Sequence, residues 1–142
     1  MTTVRQLLDK KGPEVFSIAP TASVYEAVEE MAAHDVGALL VLRGEGLAGI
    51  VSERDYARKV ILKDRASRST SVSEIMTADV VTITPDCSVE EGLAVMTERR
   101  IRHLPVLENE RVIGMVSIGD LVKAVIREQQ STIEQLENYI SS

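Results

Sequence analysis

The sequence has few of the residue types that mark certain classes of protein. It contains one cysteine and no tryptophan, and aromatic residues make up 3% of its 142 positions. A single cysteine cannot form an internal disulfide, and so few aromatic rings offer little surface on which the bases of single-stranded nucleic acid could stack. The composition therefore argues against a disulfide-stabilised scaffold and against a stacking surface for nucleic acid.

The chain also lacks an excess of positive charge and any long apolar run. Its 16 Lys and Arg residues against 22 Asp and Glu give a formal net charge of −6, which does not favour a phosphate backbone. The longest apolar run, residues 36–42, is far shorter than the roughly 20 residues that span a bilayer, and residues 1–12 lack a signal-peptide core. We therefore expect a cytoplasmic protein with no nucleic-acid partner and no membrane partner.

What the sequence does have is an ordinary globular balance, 44% hydrophobic and 27% charged, and an internal duplication. Residues 15–24 reappear at residues 80–89, and the match continues without a gap to Asp55 and Asp120. Upstream, Leu7 aligns with Ile75 only if the first copy carries extra residues near positions 10–12. The duplication predicts two domains, residues 1–66 with an N-terminal helical turn and residues 67–142 with an extended C-terminal helix.

Each copy has the pattern of a β-α-β-β-α unit, so the predicted class is α/β (α+β). A short β-rich run, Val15–Ile18 or Val80–Ile83, precedes a helix that opens at Ser23 or Ser88 with a capping box. Two apolar strands around a turn follow, and then a second helix. In the second copy the apolar spacing of this helix continues to Ile140, so its distal part either offers a surface to a partner helix or docks on its own sheet.

The sharpest local feature is a motif that follows each hairpin, Gly49-Ile-Val-Ser52-Glu-Arg-Asp55 and Gly114-Met-Val-Ser117-Ile-Gly-Asp120. One interpretation is a capping box in which Asp replaces Glu. The other is a ligand site, because a carboxylate at a helix start can accept hydrogen bonds from both hydroxyls of a ribose, while the serine and free N–H groups suit phosphate. Both interpretations stay open at this point.

With these motifs, and with Arg102-His103-Leu104-Pro105-Val106, the chain resembles the tandem CBS-domain pair, also called the Bateman module. The resemblance implies two repeats packed sheet to sheet with pseudo-twofold symmetry and two clefts for an adenosyl ligand such as AMP, ADP, ATP, NAD(H) or S-adenosylmethionine. It implies that Asp55 and Asp120 hold ribose hydroxyls and that Ser52 and Ser117 approach ribose or phosphate. The remaining candidate nucleotide-binding residues are Ser17, Ile18, Ala38, Arg54, Arg58, Lys59, Thr82, Ile83, Arg102, His103, Leu104, Pro105 and Gly119.

The two sites are not expected to be equal. Where the second copy has Arg102 and His103, the first has Gly37 and Ala38, which carry no charge. Partly desolvated phosphate needs a compensating cation. We expect one cleft to prefer a phosphorylated adenosyl ligand, with Arg54, Arg58 and Lys59 as further sources of positive charge.

The function that these expectations favour is a non-catalytic regulatory module for signal transduction or energy sensing, with no required metal, which responds to a nucleotide by a conformational shift. The expected partners are a second copy in a homodimer and an unidentified effector protein. One alternative is a ligand-free interaction scaffold. Another is a small nucleotide-hydrolysing enzyme with Asp55 or Asp120 as base, which is disfavoured because the sequence has no metal-carboxylate cluster and no glycine-rich phosphate loop.

Overall fold

A computed structural model describes residues 1–12 and 14–141, and Pro13 and Ser142 of the predicted domains lie outside the described residues. The mixed α/β class predicted from the sequence is confirmed. In chain order the elements are α1 (Val4–Lys11), β1 (Ser17–Ile18), α2 (Val24–His34), β2 (Ala38–Arg43), β3 (Gly46–Ser52), α3 (Glu53–Tyr56), a π-helical turn (Ala57–Ile61), α4 (Val72–Ile75), α5 (Val89–Arg99), β4 (His103–Glu108), β5 (Arg111–Ser117) and α6 (Ile118–Ser141).

The described residues form two compact units, and one of them consists of residues 14–81. In this unit β1 pairs in parallel with β2, and β2 pairs antiparallel with β3. The core is aliphatic apart from one methionine, because the apolar faces of α2 and α4 meet alternate residues of the sheet. It consists of Val24, Ala27, Met31, Leu39, Val41, Val51, Val60, Val72 and Ile75.

The other unit combines residues 1–12 with residues 82–141 and contains the hairpin β4–β5. The strand predicted at Val80–Ile83 is wrong here, since it shrinks to a single bridge between Ile83 and Val106. In the first copy Leu40 donates its N–H to the carbonyl of Phe16. The residue that matches Leu40 is Pro105, which has no N–H to donate, so the ladder loses that hydrogen bond.

The compact units do not follow the predicted boundary between residues 66 and 67, because the copies exchange their helical turns. α1 precedes the first copy, but Val4 donates to the carbonyl of Cys87 and Val89 donates to that of Thr2. In the same way Val72, in α4, donates to Ala22, and Val24 donates to Thr70. Each turn therefore joins the helix start of the other copy, and this pairing draws residues 1–12 and 67–81 across the repeat boundary.

The first glycine of each motif is where an exchanged turn comes closest to a sheet. A Cβ built on Gly49 would lie 2.7 Å from Met76 Sδ and 2.7 Å from the carbonyl oxygen of Thr77. A Cβ on Gly114 would lie 2.7 Å from Leu8 Cδ2, and Leu8 and Met76 are matching positions of the duplication. Both glycines are thus explained by packing of the exchanged turn.

We expect Gly49→Ala to destabilise the protein by about 1–3 kcal/mol, the usual cost of overpacking a filled interior. The carbonyl of Thr77 is main chain and pairs with Ile50, so it cannot rotate away from the new methyl group. Urea denaturation measures the effect. Gly46→Ala is the matched control because its Cβ would meet only the carbonyl of Arg43 at 3.5 Å, and equal stability of the two variants would contradict the packing role.

The helices that open the copies begin where the sequence predicts, at Ser23 and Ser88. Each serine hydroxyl accepts the N–H of the glutamate three residues on, at 3.1 Å in both cases, which is the serine half of the predicted capping box. The second helices differ strongly, because α3 and its π-helical turn end at Ile61 whereas α6 runs to Ser141. In α6, Leu121 and Ala124 are buried but all of residues 129–141 are exposed, so this part does not dock on its own sheet.

Candidate functional site

The first motif places Ser52 and Asp55 where β3 ends and α3 begins. The N–H of Ser52 donates to Asp55 Oδ2 at 3.0 Å, and the N–H of Asp55 donates to Ser52 Oγ at 3.2 Å. This reciprocal pair is a capping box, so the structural interpretation of the motif is confirmed. We call Ala38, Ser52, Asp55 and Lys59 the Asp55 cluster, since Ala38 is the register partner of Ser52 in the sheet.

Both oxygens of Asp55 have described partners. Oδ2 accepts the capping hydrogen bonds, and Oδ1 lies 3.2 Å from the ammonium of Lys59, one helical turn further on. The same ammonium donates to the carbonyl of Ile75 at 2.9 Å. Lys59, which the sequence offered as a source of charge for phosphate, is therefore bonded to the carboxylate beside it.

The second motif builds the same arrangement where β5 ends. The N–H of Ser117 donates to Asp120 Oδ2 at 2.8 Å, and the N–H of Asp120 donates to Ser117 Oγ at 3.1 Å. His103 is the register partner of Ser117, and Ile118 donates its N–H to the carbonyl of Arg102. The strand ends thus bring His103 close to the motif that contains Ser117 and Asp120.

Sequence analysis missed Lys11, which contacts this second motif from α1. Its ammonium donates to Asp120 Oδ2 and to the carbonyl of Met115, both at 2.7 Å. We call Lys11, His103, Ser117 and Asp120 the Asp120 cluster. The only signal in the sequence was that the first copy carries extra residues near positions 10–12, and α1 has to be exchanged onto the second copy before this lysine can reach its partner.

Electrostatics within the Asp120 cluster favour a charged Asp120 and a neutral His103. Partial burial would by itself raise the pKa of Asp120, but hydrogen bonds from Lys11 and from the backbone of Ser117 outweigh it and lower the pKa. Burial lowers the pKa of His103, and the charge of Lys11 lowers it further. At neutral pH the carboxylate is therefore charged and the imidazole neutral, so Lys11, and not His103, is the cation in contact with Asp120.

We expect Lys11→Met to cost about 1 kcal/mol or less at neutral pH, because the ion pair is partly exposed. The fold lowers the pKa of Asp120, so its contribution to stability is fully present above the ordinary value of 3.8 and is lost as the pH falls through the folded value. The difference between wild type and variant should therefore shrink in acid. Urea denaturation at neutral pH and near pH 3 tests this.

Lys10→Met is the control for Lys11→Met, because it removes the same charge from an exposed neighbour on α1. A variant at position 11 that behaves like the one at position 10 at both pH values would contradict the coupling between Lys11 and Asp120.

The remaining candidates lie on the elements beside the two clusters. Ser17 and Ile18 pair with Leu40 and Val41 next to the Asp55 cluster, and Ile83 bridges to Val106 next to the Asp120 cluster. Thr82 is exposed, whereas Leu104 and Pro105 are buried in β4. Arg54 and Arg58 are exposed near Asp55, and Gly119 is exposed between Ser117 and Asp120.

Residues 1–12 and 14–141 contain no candidate for a metal site and no candidate for a membrane-spanning helix. No three His, Cys, Asp or Glu side chains in this part of the chain come together as a metal site would require. In the same residues, no helix combines the length and the apolar character needed to cross a membrane.

Comparison with known proteins identifies the family. The model of the CBS domain matches the chain twice, at residues 4–62 and 72–127. The chain belongs to the CBS-domain family. The two CBS domains carry the two motifs, so Ser52 and Asp55 in the first domain match Ser117 and Asp120 in the second.

Relatives of this CBS-domain pair match it over most of their length. The protein named CBS domain-containing protein CBSX3, mitochondrial, from Arabidopsis thaliana is 43% identical over 98% of this chain and 72% of its own. A solved protein with CBS domains from Burkholderia ambifaria MC40-6 is 50% identical, with a TM-score of 0.87 over 90% of this chain and 96% of that one.

The fold is shared more widely. The CBS-domain pair of protein MJ0100, solved in complex with 5′-methylthioadenosine and S-adenosyl-L-methionine, is 24% identical, with a TM-score of 0.80 over 90% of this chain and 98% of that one. At this identity the likeness shows the fold alone.

Proposed function

We propose that this CBS-domain pair is a non-catalytic regulatory module that binds an adenosyl ligand, such as AMP, ADP, ATP or NAD(H), and signals by a conformational shift without a metal. The ribose hydroxyls would be held by Asp55 and Asp120, with Ser52 and Ser117 near ribose or phosphate. A ligand shifts such an equilibrium only through its difference in affinity between the two conformations, so the contacts of these residues must differ between them.

The observation that carries the proposal is the way the two oxygens of Asp120 are used. Every described hydrogen bond of this carboxylate falls on Oδ2, which accepts from Ser117 and from Lys11. The capping box therefore fixes the side chain through one oxygen. The cap uses Oδ2, so Oδ1 can accept a hydrogen bond from a sugar hydroxyl without loss of the cap.

The charges around the two clusters support unequal sites. Each carboxylate has one ammonium beside it, Lys11 at Asp120 and Lys59 at Asp55. The second copy adds Arg102 just before β4, where the first copy has the uncharged Gly37. Phosphate oxygens gain most where a cation is already held in place. We therefore propose that the Asp120 cluster takes a phosphorylated adenosyl ligand more tightly than the Asp55 cluster does.

The complex of MJ0100 gives independent support for the ligand class. That protein has the same fold and was solved in complex with two adenosyl compounds, neither of which carries a phosphate. Adenine and ribose are the groups that both of its ligands share. This agrees with a role of the motif carboxylates in holding ribose.

One observation favours the interaction scaffold as a second candidate. Both motif carboxylates are used in capping boxes, and a cap alone is a sufficient structural reason for an acid at a helix start. In that case neither cluster binds a nucleoside and the duplication serves only the fold. The two candidates differ in a single measurable property, the affinity for adenosyl compounds.

Calorimetry and thermal unfolding of the full chain with AMP, ATP and NAD separate these functions. If the protein is a sensor, it binds at least one of these compounds at two unequal sites and leaves the compound unchanged. Binding then raises the melting temperature of the protein. The scaffold gives neither heat nor a shift. Release of phosphate or nucleoside would instead support the hydrolase and overturn the non-catalytic role, and two identical sites would overturn the inequality.

The partners and the location remain part of this proposal. We propose a homodimer, together with an effector protein that recognises the shifted form. The cytoplasmic location expected from the sequence stays a prediction, and the relative from Arabidopsis thaliana is named as mitochondrial.

A further inference from the structure

The distal half of α6 is helical although none of its residues is buried. All of residues 129–141 are exposed, and at 1.5 Å per residue they extend for about 20 Å. A single helix of this length is marginal in water, since helices are stabilised mainly by packing of an apolar face. The segment therefore needs a surface that covers it.

Six residues of α6 form a stripe with the spacing of a coiled coil. They follow one another at intervals of four and three residues in alternation, which is the heptad period of 3.5, with isoleucine at every a position. We call this stripe the seam. It consists of Val122, Ile126, Gln129, Ile133, Leu136 and Ile140.

The seam is exposed and lies on a different face from the one that packs on the domain. Leu121 and Ala124 are buried, and the centre of the seam lies about 130° around the helix from the centre of this buried pair. Ile133 and Leu136 expose 48% and 57% of their surface. Exposed large apolar residues aligned on one helix face mark an interaction surface more often than singly scattered ones do.

We propose that the seam pairs with the seam of a second copy of this chain in antiparallel orientation. The spacing of the six residues makes this pairing self-complementary. Ile126 would face Leu136 of the second copy, Gln129 would face Ile133, and Val122 would face Ile140, so every layer contains at least one large aliphatic side chain.

Charge complementarity selects the second copy and the antiparallel direction. The residues that flank the seam at the e positions are Lys123, Gln130 and Glu137. In an antiparallel pair e positions face e positions, which places Lys123 opposite Glu137 of the second copy on both sides of the twofold axis. A parallel pair would instead place Lys123 next to Ile118 and Gln129 against Gln129, with no charge pair.

An open groove borders the middle of the seam. A groove of about 490 Å³ lies between Glu90, at the start of α5, and the part of α6 that includes Gln129 and Ile133. The inference rests on the homodimer of the proposed function, but it does not depend on the identity or the binding of the ligand.

Light scattering at micromolar concentration tests the surface with two matched variants. Ile133→Glu puts a charge into the centre of the seam, and Ser131→Glu puts the same charge on the opposite, exposed face of the same turn. We expect the mass of a dimer for the wild type and for Ser131→Glu and the mass of a monomer for Ile133→Glu. Circular dichroism and the melting temperature verify that Ile133→Glu is folded, and Leu136→Glu is a second variant of the same kind.

The direction of pairing is tested by disulfide formation in a Cys87→Ala background. Antiparallel seams place residue 126 in the same layer as residue 136 of the second copy, whereas two residues 126 lie about 15 Å apart along the axis, too far for a disulfide. A mixture of Ile126→Cys and Leu136→Cys chains should therefore form linked dimers, and neither chain alone should do so.

The possible failures are distinguishable. A wild-type monomer overturns the homodimer and the seam together, and it leaves the seam to another partner. A dimer that survives both Ile133→Glu and Leu136→Glu overturns the seam but not the homodimer. Linked dimers of Ile126→Cys alone overturn the antiparallel direction, and none of these results bears on adenosyl binding by calorimetry.

Discussion

Replacement of Asp120 by alanine is expected to weaken adenosyl binding by roughly 10- to 100-fold. A hydrogen bond to a charged group contributes about 1.5–3 kcal/mol, and 1.4 kcal/mol is a factor of ten in affinity. The variant loses the acceptor proposed for the ribose hydroxyls and also leaves Lys11 without its carboxylate. Titration calorimetry of wild type and variant with the ligand that binds the wild type measures the change.

The fold should survive this substitution, so that a loss of binding is informative. The cap of α6 contributes about 1 kcal/mol, and Ser117 can still accept the N–H of residue 120. Glu91→Ala is the matched control, since it removes an acid from the third position of α5, where its N–H donates to Ser88. Unchanged affinity in a folded Asp120→Ala protein would leave the motif acids with a capping role alone.

The same change at Asp55 should have the smaller effect on a phosphorylated ligand. Both oxygens of Asp55 have partners in the protein, and a ribose would have to displace Lys59 from Oδ1. The neighbouring Gly37 and Ala38 offer no charge to phosphate. A larger loss of affinity in Asp55→Ala than in Asp120→Ala would reverse the proposed order of the two sites.

Much of this fold could be predicted from the sequence because the same local sequence signals occur in both copies. The helix starts at Ser23 and Ser88 and the hairpins that follow depend on local signals, and the structure confirms them. The loss of the strand near Ile83 was also predictable, because Pro105 stands in the sequence at the position that must donate an N–H. The duplication obscured it, since a repeat invites the assumption that both copies pair alike.

The contacts of the candidate site were harder to predict from the sequence, because they join residues that are distant in the chain. Lys11 lies 109 positions before Asp120, and no local pattern links them. The motif itself is ambiguous for a physical reason, because an acid at the third position of a helix can serve either to cap the helix or to hold a diol. The structure confirms the cap and shows which carboxylate oxygen it occupies, and this distinction is absent from the sequence.

The exchange of helical turns can be tested by substitution, because a turn that packs on the other copy should stabilise that copy and not its own. Leu7 and Ile75 are matching positions of the two copies, and both are buried. If each turn packs on the other copy, Leu7→Ala should weaken the unit of residues 82–141, and Ile75→Ala should weaken the unit of residues 14–81. Each substitution should cost about 2–5 kcal/mol, the usual range for a buried aliphatic residue replaced by alanine.

Hydrogen exchange shows where the stability is lost, because local openings report separately for each cooperative unit. In Leu7→Ala, exchange should accelerate first in α5 and β5, although the substituted residue precedes the first copy in the chain. In Ile75→Ala it should accelerate first in α2 and β3. Leu62→Ala is the control, since Leu62 is 75% exposed and its loss should change neither unit. If Leu7→Ala instead accelerated exchange in α2 and β3, α1 would pack on its own copy, and Lys11 could not be held beside Asp120.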